Sequence, residues 1–170
     1  MLVVLHVPLA FAMIAVGIFA VVLGGRALWL VPASFVAMMV VGFGLGVSGV
    51  ALPYVELGIA LSSIVIGFAA ALGRPMPVAA AMALAGVFAI FHGHAHGAEM
   101  PAGAPGLEYA LGFILATAAL HLAGIGAAIG VTRVNVSMMI DVTAHAASAP
   151  ADTASTPYSD SNSRISRRVA

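Results

Sequence analysis

Cysteine is absent from this sequence, and so is lysine: all six basic residues are arginine. Without thiols there are no disulfides and no thiolate metal sites, and cysteine usage carries no information on the redox compartment. Charge of either sign is scarce, at 7% of residues, against roughly 25% in an ordinary soluble domain. The formal net charge is zero, so nothing favours a nucleic-acid partner. The apolar stretches lack the two-residue alternation of a transmembrane barrel. No Gly-x4-Gly-Lys-Ser/Thr loop is present to cradle ATP phosphates. Neither a His-Glu-x-x-His motif nor a Ser–His pairing points to an enzyme.

What is present is mostly hydrocarbon: 62% of residues are hydrophobic and the mean hydropathy is +1.14. The apolar runs have the length that a bilayer core of about 30 Å requires of a helix. The reading is all-α, a polytopic membrane bundle of about five transmembrane helices at 2–23, 28–47, 54–72, 77–99 and 107–131. Residues 1–133 then form the membrane domain. The polar stretch 134–170, rich in Ala, Ser, Thr and Asp, is expected to be a disordered cytoplasmic tail. The first helix has no positive region ahead of it and is expected to be retained rather than cleaved as a signal peptide. Gly42 and Gly46 in the second helix, and Gly126 and Gly130 in the fifth, have the spacing that lets helix backbones approach closely. Arg26, Arg74, Arg133 and the tail arginines fall on one side of this arrangement, which the positive-inside rule makes cytoplasmic. The expected location is the bacterial inner membrane, with the N-terminus outside.

Against this background one stretch stands out, Phe91-His92-Gly93-His94-Ala95-His96-Gly97-Ala98-Glu99. A fourth helix ending at Phe91 would be about 22 Å long, too short to cross, whereas one ending at Glu99 reaches about 34 Å. The histidines therefore belong to the membrane helix or to its broken end. If helical, His92, His96 and Glu99 share a face and His94 points away; if extended, the three histidines share a face instead. Gly93 and Gly97 weaken a helix here, each by roughly 1 kcal/mol relative to Ala. Imidazole and carboxylate suit a divalent first-row metal when thiolates are absent. His121 lies deep in the fifth helix, with Thr117 one turn earlier, and marks a pathway or an interhelical hydrogen bond. Glu56 is the only carboxylate of the third helix and joins them as a path residue, whereas Glu108, in a first turn, suits the helix dipole.

At these residues the sequence resembles the HupE/UreJ family, membrane accessory proteins of hydrogenase and urease systems regarded as nickel or cobalt permeases. The resemblance runs over roughly residues 12–130, from Met13-Ile14-Ala15-Val16-Gly17 through Gly24-Gly25-Arg26-Ala27-Leu28-Trp29 to the histidine stretch and the segment around His121. It implies Ni²⁺ or Co²⁺ as the transported or bound ion, held by His92, His96 and Glu99 with His94 and His121 beside them, and no organic cofactor. The family's first signature carries an Asp-His pair that by register falls at Pro8 and Leu9, so neither of those ligands is present. The family's usual leading and final helices are also not matched.

The leading expectation is a permease supporting metalloenzyme maturation. It would bind the cation on the outer side and pass it inward past His121, about 10 Å deeper along the helix rise. The expected partners are the divalent ion, the lipid bilayer, and either further copies of the chain or other membrane subunits. The alternatives are a metal-binding accessory protein that does not transport, and a haem-binding membrane subunit with a histidine of the fourth helix and His121 as axial ligands.

Overall fold

The computed structural model describes residues 2–148, with side chains described from Leu9 to His145. Five helices follow in order: α1 Leu2–Leu23, α2 Ala27–Val47, α3 Val55–Leu72, α4 Val78–Ala98 and α5 Gly106–Ser148. There is no strand among the described residues. The helices α2 to α5 are each long and apolar enough to cross a membrane; of α1, the stretch Leu9–Leu23 is apolar but shorter. The architecture is the all-helical membrane bundle that the apolar runs predict. α1 is continuous across Pro8, and α3 closes on Gly73, whose φ of 59° is the left-handed conformation that suits glycine after a helix.

The chain divides into two units, 1–133 and 134–170. In the first, α2 and α4 make an extensive contact. Its cause is reciprocal glycine. A Cβ on Gly42 would strike the Ile90 carbonyl, and one on Gly46 the His94 carbonyl. From the other side, a Cβ on Gly93 would strike the Met39 carbonyl, and one on Gly97 the Phe43 carbonyl. The contacts advance in the same direction along both helices, so α2 and α4 run parallel. Near their other end, Ser34 Oγ lies 3.4 Å from the Met82 carbonyl oxygen. Gly93 and Gly97 are thus packing positions, and α4 stays helical through both instead of fraying.

The same logic attaches α1 to α5. A Cβ on Gly17 would meet the His121 carbonyl, and one on Gly124 the Ile14 carbonyl. Gly126 and Gly130, read from spacing as a packing pair, have no neighbour within 4 Å where a Cβ would be. Two residues beyond Gly124 is about 200° around the helix, which turns Gly126 away from α1. α3 leans on the end of α4 through Gly58, which faces the Phe91 ring. Inward positions recur every four residues, as with Ala27, Val31, Phe35 and Met39 on α2 and Gly58, Ser62, Ile66 and Ala70 on α3. The outward positions are also apolar, including Trp29, Ile64, Phe68 and Leu115, which is the surface a bilayer requires.

In the second unit, the helical bounds differ from expectation. α5 continues to Ser148, well past the predicted end at Val131 and into the stretch expected to be disordered. Extending an existing helix adds a hydrogen bond per residue without a new nucleus, so a polar, Ala- and Met-containing sequence stays helical where composition alone argues for disorder. Thr143 Oγ1 donates back to the Met139 carbonyl at 3.0 Å, the local bond of a helical threonine. The remainder of the expected tail, residues 149–170 with Arg164, Arg167 and Arg168, lies outside the described residues.

The glycine contacts generate a paired prediction. Gly93→Ala and Gly46→Ala force backbone against backbone and should destabilise the folded protein by about 1–3 kcal/mol, the cost of overpacking a filled interior. Gly126→Ala and Gly130→Ala meet open space and should be neutral or gain up to about 1 kcal/mol in helix propensity. Unfolding of the four variants in detergent micelles, followed by helical circular dichroism, checks both halves.

Candidate functional site

The last two turns of α4 deliver the histidines in different directions. His92 is fully buried, although it is polar. Its Nε2 lies 2.8 Å from Ser62 Oγ on α3, and its ring meets the edge of Phe35 on α2 at a centroid distance of 5.3 Å. His94, also buried, points to the opposite side, where its Nε2 lies 2.7 Å from the Val50 carbonyl oxygen in the α2–α3 loop. His96 stacks flat on Phe113 of α5, with the rings 4.9 Å apart and 3° from parallel.

His121 joins the buried group from α5. It is 2% exposed and contacts the same Phe35 ring at 5.2 Å, edge-on. His92 and His121 therefore stand on one phenylalanine, not at successive depths. The expectation of a 10 Å step took Glu99 as the level of the outer group. His92 sits two turns further in, and seven residues of helix are about 10 Å, which brings it level with His121. Thr117, buried one turn before His121, donates to Met39 Sδ at 3.7 Å.

Two cavities flank this group. One, of about 300 Å³, is lined by His96, Thr117, Phe113, Met13 and Leu9. The other, of about 480 Å³ and almost wholly apolar, lies between α2 and α5, with His121 and Trp29 in its lining. Leu9, the position where the resemblance places a family histidine, thus faces the same space as His96.

The carboxylates lie elsewhere. Glu99 caps the C-terminal end of α4 and is exposed. Together with His94 and the exposed Glu56 it lines a smaller cavity of about 180 Å³. The residues singled out in the sequence are therefore divided between an interior group of buried His92, His121 and Thr117 with half-buried His96 beside them, and a mouth of exposed Glu56 and Glu99 lined also by buried His94. No group of three or more His, Asp or Glu side chains among the described residues is gathered closely enough to hold a metal ion.

Three ring nitrogens in this region are buried without a hydrogen-bond partner: His92 Nδ1, His94 Nδ1 and His121 Nε2. Leaving a polar atom buried and unpaired costs roughly 1–3 kcal/mol each. Side chains that sequence reasoning passes over complete the picture. Phe35 separates two of the imidazoles, and Ser62 anchors one of them. Ser62 and Ser63 are the only hydroxyl residues of α3, and the four-residue rhythm of small and apolar positions through Gly58, Ser62 and Ile66 is the signal that Ser62 faces inward.

A model of the HupE / UreJ protein family matches residues 8–151. The chain is also similar to Protein HupE of Rhizobium leguminosarum bv. viciae, with 45% identity over 117 residues. That alignment covers 69% of this chain and spans 61% of the length of the relative. No solved structure matches. With a family match across most of the chain, a helical membrane bundle and the histidine stretch in place, this chain belongs to the HupE/UreJ family.

Proposed function

We propose that the chain is a permease for a divalent first-row cation, Ni²⁺ or Co²⁺, which it supplies for hydrogenase or urease maturation. The observation that carries this reading is the set of three buried imidazole nitrogens with no partner. An unpaired imidazole nitrogen inside a membrane protein is costly, and a borderline cation is the ligand that best repays that cost. The mouth of Glu56, Glu99 and His94 supplies negative charge and one imidazole to attract the ion and begin replacing its water. The buried His92 and His121, with half-buried His96, supply nitrogen donors within the bundle, and Thr117 a hydroxyl beside them. Passage needs sites that bind well enough to admit the ion and weakly enough to release it. Donors spread over two places meet that condition better than a closed coordination sphere would.

The orientation belongs to the same proposal. Because α2 and α4 are parallel, Arg26 before one and Arg74 before the other stand at a common end, and the histidine mouth stands at the opposite end. The positive-inside rule makes the arginine end cytoplasmic, with the N-terminus outside. A second reading, metal binding without transport, is favoured by Leu9, since the cavity shared with His96 lacks there the donor that the family pattern supplies.

Uptake of labelled nickel and cobalt by cells expressing the chain tests the function. His92→Ala and His121→Ala should each lower uptake by about tenfold or more, as loss of a ligand or its support does at metal sites. Equal uptake in the parent and both variants would contradict the path. Absence of uptake in all three, with cation still bound by the parent, would favour the non-transporting reading. Orientation is checked with alkaline phosphatase fusions, which should be active after Gly49 or Gly103 and inactive after Arg26 or Arg74. The reverse pattern would invert the proposed topology.

A further inference from the structure

A neutral imidazole carries one N–H donor and one bare acceptor nitrogen, and only the bare nitrogen can ligate a metal. Which nitrogen is bare at His92 follows from the groups around it. Ser62 Oγ lies 2.5 Å from the Ile59 carbonyl oxygen, one turn back on α3, and 2.8 Å from His92 Nε2. A serine hydroxyl has a single hydrogen. The carbonyl can only accept, so that hydrogen must lie between Ser62 Oγ and Ile59; otherwise two sets of lone pairs would face each other at 2.5 Å. Ser62 Oγ is then left as an acceptor toward His92, and the proton between them belongs to Nε2. The chain of donation runs from His92 Nε2–H to Ser62 Oγ–H to the Ile59 carbonyl. Every group in it is satisfied, and His92 Nδ1 is left bare, buried and without a partner.

His94 shows the same polarity by another route. Its Nε2 lies 2.7 Å from the Val50 carbonyl oxygen, which can only accept, and its Nδ1 is likewise buried without a partner. Two histidines of α4 facing opposite sides are thus held with Nε2 protonated and Nδ1 free. A ring N–H donated to an oxygen is also the arrangement that orients histidine ligands at metal sites and raises their basicity. The anchor of His94 is backbone, whereas that of His92 is a side chain that substitution can remove.

We infer that Ser62 is a positioning residue: it holds His92 in the Nε2–H tautomer and so presents the Nδ1 lone pair to a divalent cation. The cation in this inference rests on the function proposed above, while the tautomer rests on the hydrogen-bond geometry alone. A residue serving only to fill space would leave the tautomer indifferent to its hydroxyl.

The test uses the full-length, metal-free protein in detergent micelles, labelled with ¹⁵N-histidine, with the His92 signals identified by their loss in His92→Gln. The ring nitrogen shifts of the parent should report a protonated Nε2 and a bare Nδ1. Ser62→Ala should shift His92 toward the other tautomer, and Ser62→Thr, which keeps a hydroxyl, should restore it. Titration with Co²⁺ should then show affinity falling by about 10–100-fold in Ser62→Ala and recovering in Ser62→Thr, the range typical of lost ligand support. A parent with Nδ1 protonated would overturn the inference without recourse to any variant, as would a His92 tautomer unchanged in Ser62→Ala. If the tautomers behave as described but none of the three proteins binds Co²⁺, the cation reading fails and with it the purpose assigned to Ser62. That outcome is distinct from a wrong tautomer.

Discussion

The contact on which the rest depends is the approach of α2 to α4 through Gly42, Gly46, Gly93 and Gly97. Inside a membrane there is no hydrophobic drive to hold two apolar helices together, and close backbone packing supplies much of the attraction. Here that packing also sets positions. It places Phe35 and Met39 of α2 against the histidine end of α4, and through them His92 and Thr117. Two of the four glycines lie within the histidine stretch itself. The motif is therefore a packing surface and a donor surface at once, with alternate residues serving each.

The polar atoms inside this bundle are few, and their treatment is uneven. Ser62 satisfies its bonds completely, and His94 Nε2 and His92 Nε2 have oxygens beside them. Three other ring nitrogens are buried with nothing to bond. The proposed cation path rests on that asymmetry, with partners arranged for some nitrogens and neighbouring ones left bare. In the proposed path, a carboxylate-bearing mouth attracts the ion at the edge and imidazole nitrogen receives it where charge is expensive.

Much of the fold was legible in the sequence because membrane helices announce themselves by length and composition. The bounds of α1 to α4 follow the apolar runs closely, and the length argument that carries α4 past Phe91 agrees with a helix ending at Ala98. Spacing identified Gly42 and Gly46 as packing residues but could not tell that Gly126 and Gly130 face away, because which face of a helix meets a neighbour is a tertiary fact. The far end of α5 was misread since composition speaks to burial and not to the continuation of a helix already begun. At the site, donor identity was readable and grouping was not. His92 and His121 belong together because two helices converge on Phe35, a residue with no polar signal of its own, and the role of Ser62 depends on where one hydrogen must lie.

In the proposed path, buried imidazoles of α4 and α5 receive a divalent cation. X-ray absorption at the cobalt edge of the Co²⁺-loaded protein tests it most directly. The expected spectrum has a coordination shell containing imidazole nitrogens, seen in the outer-shell scattering of the ring, that diminishes in His92→Ala. A spectrum of oxygen ligands alone, indistinguishable from hydrated cobalt and unchanged in the variant, would contradict it.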